Sequence, residues 1–364
     1  MKLRIDGKIK DTPAVWWNST ENIVQMIDQT KIPFQVEIYN CPTYRETVKA
    51  IKGMIIRGAP SIGAAAAYGL AQAVFEFSDN SFFEDYVTNA YNELLAARPT
   101  AIDLKNGLEF VKKAYPLTPK AALNRAQSFA NRIADEGRRI GQVGKALIKP
   151  GMNILTHCHT GALALVDNGS ALAPIIQAWD EGKRFHVYVD ETRPRFQGRL
   201  TAWELNQYGI DHTVICDSAS GFFISRGKVD LIILGADRVT KNGDIANKIG
   251  TYSLAVLANY HDVPFYTAFP TSTYDPSTNV GEEITIELRD PIELKQALGY
   301  SETLNRNHTV SLYSNEIKFT NPAFDITPSN LIRGYITPHG ILNQFQLESA
   351  LINQAHPKNS TRSI

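Results

Sequence analysis

The sequence predicts an α/β protein. A mainly helical N-terminal domain, residues 1–130, is followed by a parallel-sheet domain, residues 131–364. Three observations lead there. The 364 residues exceed what one compact core fills, so two domains are expected. Before residue 130, apolar positions recur at helical spacing. After it, short apolar runs alternate with helical stretches, the mark of repeated strand–helix–strand units.

In chain order, "TYRETVKAIKGMII" reads as a helix with one apolar face. "SIGAAAAYGLAQAVFEF" is rich in small residues, so another backbone can approach it closely. "SFFEDYVTNAYNELLAA" and "LKNGLEFVKKAY" continue the helical pattern. A long helix opens at Pro119, stops before Pro150-Gly151 and links the two halves. The runs "MNILTH", "FHVYVD", "HTVIC", "VDLIILGA" and "PFYTAF" then read as buried parallel strands. The tail "HPKNSTRSI" reads as disordered.

Composition excludes several classes. Lys plus Arg and Asp plus Glu both number 37, so no basic excess argues for nucleic acid. The longest weakly polar run, "AAAAYGLAQAVF", falls short of the roughly 18 apolar residues of a membrane span. The N-terminus "MKLRIDGKIK" carries no signal core. Three scattered cysteines, Cys41, Cys158 and Cys216, form neither a disulfide framework nor a zinc motif, and a reduced cytoplasmic setting fits them.

Ligands of parallel sheets sit beyond the carboxyl ends of the strands, so the residues just after each apolar run deserve inspection first. They include His157-Cys158-His159, Asp190 through Pro194, Cys216-Asp217-Ser218 and Asp237. Any one of them can be a helix cap. Extended backbone through His159 would put the two histidines on one face and Cys158 on the other, which disfavours a compact Cys/His metal set. Cys158 is either a buried inert thiol or, at a helix start near cationic histidines, a thiol with a lowered pKa. Asp237 follows a buried strand, where desolvation raises a carboxyl pKa and suits proton transfer. Asn247-Lys248 is expected to open the next helix, as an anion site or as a solvated lysine. In "IIRGAPSIG", Arg57, Gly58 and Ala59 precede Pro60 at a helix start, and Arg57 can grip a phosphate with two donors. Arg98 adds a cation at a helix break. No phosphate-loop or dinucleotide fingerprint is present. The residues alone thus indicate an enzyme acting on a small phosphorylated compound.

The motifs "IIRGAPSIGAAAAYG", "ARPTAIDL", "ILTHCHTGALA", "VYVDETRPRFQGRLTAWEL", "LIILGADRVTKNGDIANKIGTYSLAVLA", "PFYTAFPTSTYD" and "NPAFDITPSNLI" together resemble the S-methyl-5-thioribose-1-phosphate isomerase family of methionine salvage, from about Tyr44 to Gly340. The wider family also holds ribose-1,5-bisphosphate isomerases and regulatory subunits of a translation-initiation exchange factor. The resemblance implies a Rossmann-like second domain, a cytoplasmic homodimer and no metal or nucleotide cofactor. It implies conversion of 5-methylthioribose 1-phosphate to 5-methylthioribulose 1-phosphate. By resemblance, Cys158 and Asp237 are catalytic, and Arg57, Gly58, Ala59, Arg98, Gln197, Asn247 and Lys248 bind the phosphosugar. Three positions depart from the family pattern. His159 stands where salvage enzymes more often carry Asn, "FQGRLTA" is one residue short, and Asp103 replaces the usual Asn. The first two departures resemble the bisphosphate enzymes. A related phosphosugar, 5-deoxyribose 1-phosphate or ribose 1,5-bisphosphate, is therefore the alternative substrate, and a non-catalytic regulatory protein the alternative class.

Overall fold

The computed structural model describes residues 1–5, 8–77, 82–98 and 101–355. The tail read as disordered lies outside the described residues.

The first 43 residues hold strands that the sequence reading did not name. A hairpin pairs β1 (Lys2–Ile5) with β2 (Lys8–Asp11). A three-stranded antiparallel sheet joins β3 (Val15–Asn18), β4 (Ile23–Ile27) and β5 (Ile38–Cys41). Strands of four or five residues are too short to declare a period of two, which is why the sequence hides them.

The helices follow as read: α1 (Tyr44–Lys52), α2 (Ala59–Glu76), α3 (Phe83–Leu95), α4 (Ile102–Lys112) and α5 (Pro119–Gly144). The small-residue run makes α2 the buried axis of this half, enclosed from Ser61 to Val74. At its crossing with α4 the backbones nearly touch. A Cβ on Gly63 would lie 2.5 Å from the Asp103 carbonyl oxygen, so only glycine fits there.

A seven-stranded sheet builds the second half. Its strands are β6 (Asn153–Thr156), β7 (His186–Asp190), β8 (His212–Ile215), β9 (Leu231–Leu234), β12 (Phe265–Ala268), β17 (Gly334–Thr337) and β18 (Gly340–Leu342). They lie in the order β18-β17-β12-β9-β6-β7-β8, all parallel except β18. Counted among themselves, the six parallel strands run 3-2-1-4-5-6, the doubly wound order. The chain winds one way from β6 and the other way from β9. The crevice between those two strand ends is the topological switch point, where such sheets bind ligands. Helices α6 (Leu172–Asp180), α7 (Gly198–Gln207), α8 (Ser220–Ser225) and α9 (Thr251–Tyr260) connect the strands.

A smaller sheet lies beside the switch point. It comprises β10 (Arg238–Thr240), β11 (Ile245–Lys248), β13 (Tyr274–Asp275) and β16 (Phe324–Thr327), in the order β13-β10-β11-β16. An outlying hairpin, β14 (Gln296–Ser301) and β15 (Arg306–Ser311), reaches the N-terminal half. There Tyr300 stacks on Phe34 at 4.6 Å and the Asn307 amide donates to the Thr30 carbonyl.

Candidate active site

A cavity of about 800 Å³ opens over the switch point, between α2, α4 and the carboxyl ends of β6, β9 and β12. Its wall includes Cys158 and Asp237 together with Arg57, Gly58, Ala59, Arg98, Gln197, Asn247 and Lys248. Both halves of the chain contribute.

Cys158 lies two residues beyond β6, in a loop. This corrects the expectation of a helix start, since α6 begins only at Leu172. The backbone turns left-handed at Cys158, with φ of 65°, a conformation that costs a non-glycine residue about 1–3 kcal/mol unless its surroundings hold it. Two threonines hold it here. The Cys158 N–H donates to Thr192 Oγ1 at 2.9 Å, and its carbonyl accepts from Thr201 Oγ1 at 2.8 Å.

That turn also separates the two histidines, which do not share a face. The His157 ring bonds Asp190 through Nδ1 at 2.8 Å and the Ile249 carbonyl through Nε2 at 2.9 Å. His159 Nε2 donates to Glu204 at 2.8 Å. Glu204 also accepts from the Ala162 and Leu163 N–H groups, each at 2.9 Å. Burial opposes ionisation of Glu204, but His159 and the two amides prevail and hold its carboxyl below the usual range. His157, Asp190 and Asp217 come close enough together to share a cation. Their donor atoms are already engaged. Asp217 accepts from the Thr192 and Arg193 amides at 2.7 Å each, and Asp190 from His157 and the Ser220 hydroxyl. The cluster braces the β6 and β7 strand ends rather than presenting lone pairs to the cavity.

The thiol also departs from expectation. Burial pushes the Cys158 pKa up from 9.0, and Asp237 adds to the rise, while Lys248 and Arg57 oppose it. The histidines expected to favour the thiolate are turned to carboxylates of their own. Cys158 therefore holds its proton more tightly than an ordinary thiol. Asp237 follows β9, and its exposed surface faces the cavity. Enclosure by the surrounding protein pushes its carboxyl above the carboxylate range, against Lys248, Arg289 and Arg98. Asp237 thus raises the proton affinity of Cys158 across the switch point.

Lys248 closes β11 instead of opening a helix, because the left-handed Gly250 delays α9 to Thr251. Its Nζ donates to the Ala323 carbonyl at 2.8 Å and lies 4.4 Å from the Phe324 ring centre. Asn247 donates to Thr251 Oγ1 at 2.9 Å. Gln197 sits at the N-terminus of α7, and its buried Oε1 has no hydrogen-bond partner among the described residues.

The cationic wall is larger than the sequence suggested. Arg57 is enclosed beside Arg195, Arg199 and Arg98, and burial followed by their repulsion lowers its pKa. Among the described residues no carboxylate pairs with it. Arg98 donates to Met54 Sδ at 3.6 Å, with Glu287 and Glu293 acting on it from farther off. Arg195 and Arg289 also line the cavity, loosely paired with Glu293 at 3.3 Å and Glu287 at 3.4 Å. A guanidinium does not relieve such strain by losing its proton, so the wall calls for an anion. Gly58, with φ of 86°, brings the backbone against Ala164 beside Arg57, and a Cβ there would collide with the Ala164 carbonyl. The run "RPRFQGR", three arginines between a strand end and a helix, could have exposed Arg195 in the sequence. Nothing around Arg289 in "IELRDP" would have.

Comparison with known proteins follows this geometry. Residues 55–344 match the model of the initiation factor 2 subunit family. The chain is 42% identical over 341 residues to methylthioribose-1-phosphate isomerase of Desulforamulus reducens, covering 90% of this chain and 95% of that one. It is 42% identical over 342 residues to the enzyme of the same name from Thermotoga maritima, covering 92% and 96%. Among solved structures it resembles 5-methylthioribose 1-phosphate isomerase of Pyrococcus horikoshii, with TM-score 0.84, 35% identity and coverage of 95% and 97%. It also resembles translation initiation factor eIF-2B subunit delta of A. fulgidus, with TM-score 0.82, 34% identity and coverage of 94% and 99%. Among the described residues no helix is long and apolar enough to cross a membrane. The chain belongs to the initiation factor 2 subunit family, and within it to the methylthioribose-1-phosphate isomerases.

Proposed function

We propose that the protein interconverts 5-methylthioribose 1-phosphate and 5-methylthioribulose 1-phosphate, an aldose–ketose isomerisation of methionine salvage. The observation that carries this reading is the convergence of Arg57, Arg98, Cys158, Asp237 and Lys248 on one cavity. A regulatory protein needs no such convergence of acid, base and unneutralised cations. Relatives named for this reaction support the same reading.

The phosphate at C1 blocks simple opening of the sugar ring, so the enzyme must supply protons. Arg57 and Arg98, with the amides beside Gly58, take the phosphate. Asp237, whose hold on its proton is raised by the surrounding protein, donates to the ring oxygen as the C1–O bond breaks. Cys158, once its thiol proton has left to solvent, removes the proton from C2 as the thiolate. The resulting enol phosphate is stabilised by Lys248. The O2 proton then returns to Asp237, and Cys158 delivers its proton to C1, leaving the C2 ketone. Protons and bonds balance over the cycle. The protein works without a metal or nucleotide cofactor, as a cytoplasmic homodimer. These last attributes rest on the family resemblance.

The test is ketose formation from methylthioribose 1-phosphate by the purified chain, in parallel with 5-deoxyribose 1-phosphate and ribose 1,5-bisphosphate. Cys158→Ser and Asp237→Asn should each lose about 10²–10⁴-fold in rate while folding normally. Near-wild-type rates in either variant would overturn the residue roles, and no turnover of any substrate would favour the regulatory reading. In deuterium oxide the product should gain deuterium at C1 to the extent that the Cys158 thiol exchanges with solvent before it delivers its proton. Full retention of the C2 hydrogen would instead mean a hydride shift.

A further inference from the structure

The His157 ring is enclosed, at 1% exposure, and each of its nitrogens faces an acceptor. Nδ1 meets Asp190 Oδ2 at 2.8 Å, and Nε2 meets the Ile249 carbonyl at 2.9 Å. A carbonyl oxygen cannot donate, so Nε2 carries a hydrogen. A neutral imidazole has only that one, and its Nδ1 lone pair would then face the carboxylate. The ring keeps both bonds only if a further proton lies between Nδ1 and Asp190.

That proton belongs to the ring. The ordinary values are 6.5 for the imidazole and 3.8 for the carboxyl. Burial opposes the charge on His157, but the Asp190 bond and charge, with Asp217 after β8, prevail and hold it above its ordinary value. Burial also raises Asp190, against His157 and the Ser220 hydroxyl, which donates to its other oxygen. Asp325 of β16 adds a third carboxylate that feels the His157 charge, together with that of Lys248. A cation on the ring therefore answers three carboxylates, whereas a proton on Asp190 would leave the other two unanswered by it.

Both bonds end on the frame of the cavity. Asp190 closes β7, and Thr192, two residues on, accepts the Cys158 N–H and donates to the Asp190 carbonyl at 3.0 Å. Ile249 follows Lys248, the last residue of β11, in the turn that leads through Gly250 to α9. A Cβ on Gly250 would lie 3.1 Å from His157 Cε1, so the ring packs directly on that turn. β7 belongs to the large sheet and β11 to the small one, and His157 is bonded to both strand ends. We infer that His157 is a positioning residue, held as the imidazolium, whose two donated bonds set Lys248 against Cys158. The ring itself does not line the cavity. Its effect on turnover rests on the proposed isomerase reading, and its protonation does not. Both bonds are complete below the ordinary 6.5, and one is lost as pH rises through the raised folded value.

The experiment uses the full-length chain with ring-15N histidine. The His157 signals are those missing from the spectrum of His157→Phe. At about pH 7.5, where an ordinary histidine is mostly neutral, His157 should show two protonated ring nitrogens. One protonated and one bare nitrogen would overturn the imidazolium. Iodoacetamide alkylation of Cys158, in a Cys216→Ser background, reads the positioning. Lys248 lowers the Cys158 pKa, so His157→Phe should raise the midpoint of the rate–pH curve, and added to Lys248→Met it should raise it no further. No rise, or a rise that simply adds to that of Lys248→Met, would overturn the positioning role. On methylthioribose 1-phosphate, His157→Phe should lower kcat about 10- to 100-fold, and an unchanged kcat would also overturn that role. Lack of turnover by the wild type would count against the isomerase reading alone, since the spectrum and the alkylation still decide the inference. If His157→Phe folds poorly, His157→Gln, which keeps a donor but no cation, replaces it in every arm and must give the same results.

Discussion

His159 donates its Nε2 proton to Glu204 across 2.8 Å, and the same carboxylate collects the amides of Ala162 and Leu163. One buried side chain of α7 thereby fixes the loop that leaves Cys158. Glu204→Gln should destabilise the fold by about 3–5 kcal/mol, the scale for breaking a buried charged pair, read as a fall in the urea midpoint. The pH dependence has a definite sign. The folded carboxyl titrates below its ordinary value of 4.5, so its stabilisation is complete above that value and is lost as pH falls through the folded pKa. The variant should lack this part of the wild type's acid sensitivity.

Asp237 raises the pKa of Cys158, and Lys248 lowers it. Iodoacetamide alkylation should report both effects in a Cys216→Ser background, since Cys216 is exposed and Cys41 buried. The midpoint of the rate–pH curve should lie above 9.0 in the otherwise unaltered protein. Asp237→Asn should move it down and Lys248→Met should move it up. Equal midpoints in all three proteins would mean that the groups do not communicate.

Among the described residues Arg57 has no carboxylate partner, so its charge is available to the proposed phosphate. Arg57→Gln should lower kcat/KM about 10- to 100-fold, the equivalent of about 1.5–3 kcal/mol for a charged hydrogen bond. Inorganic phosphate should raise the melting temperature of the wild type and not that of the variant.

Gly58→Ala adds a Cβ against the Ala164 carbonyl at a positive φ. It should cost about 1–3 kcal/mol of stability and should raise KM more than it lowers kcat, because the displaced backbone is the proposed phosphate cradle. Thermal melts and steady-state kinetics check this.

Much of the parallel sheet was legible because its strands are continuous apolar runs, and the switch point follows once they are placed. The residues before Tyr44 were not, because their strands are too short to show alternation. At the site, Cys158, Asp237 and Arg57 were visible as chemistry beside a strand end or helix start. The thiol's protonation was misread because it depends on where the two histidines turn. A left-handed residue at Cys158 sends them to Asp190 and Glu204, and no local pattern announces that turn. Lys248 was misplaced for a similar reason, since Gly250 postpones the helix. Thr192 and Thr201 looked like ordinary strand-end and helix residues, yet they hold the Cys158 backbone from both sides.

Because Asp237 strengthens the hold of Cys158 on its proton, the thiolate that the proposed cycle needs forms only after that proton has left to water. From then on the cycle needs no outside acid. Asp237 lends one proton and recovers one from O2, while Cys158 takes one from C2 and gives one to C1. Turnover should therefore rise with pH as the thiolate forms.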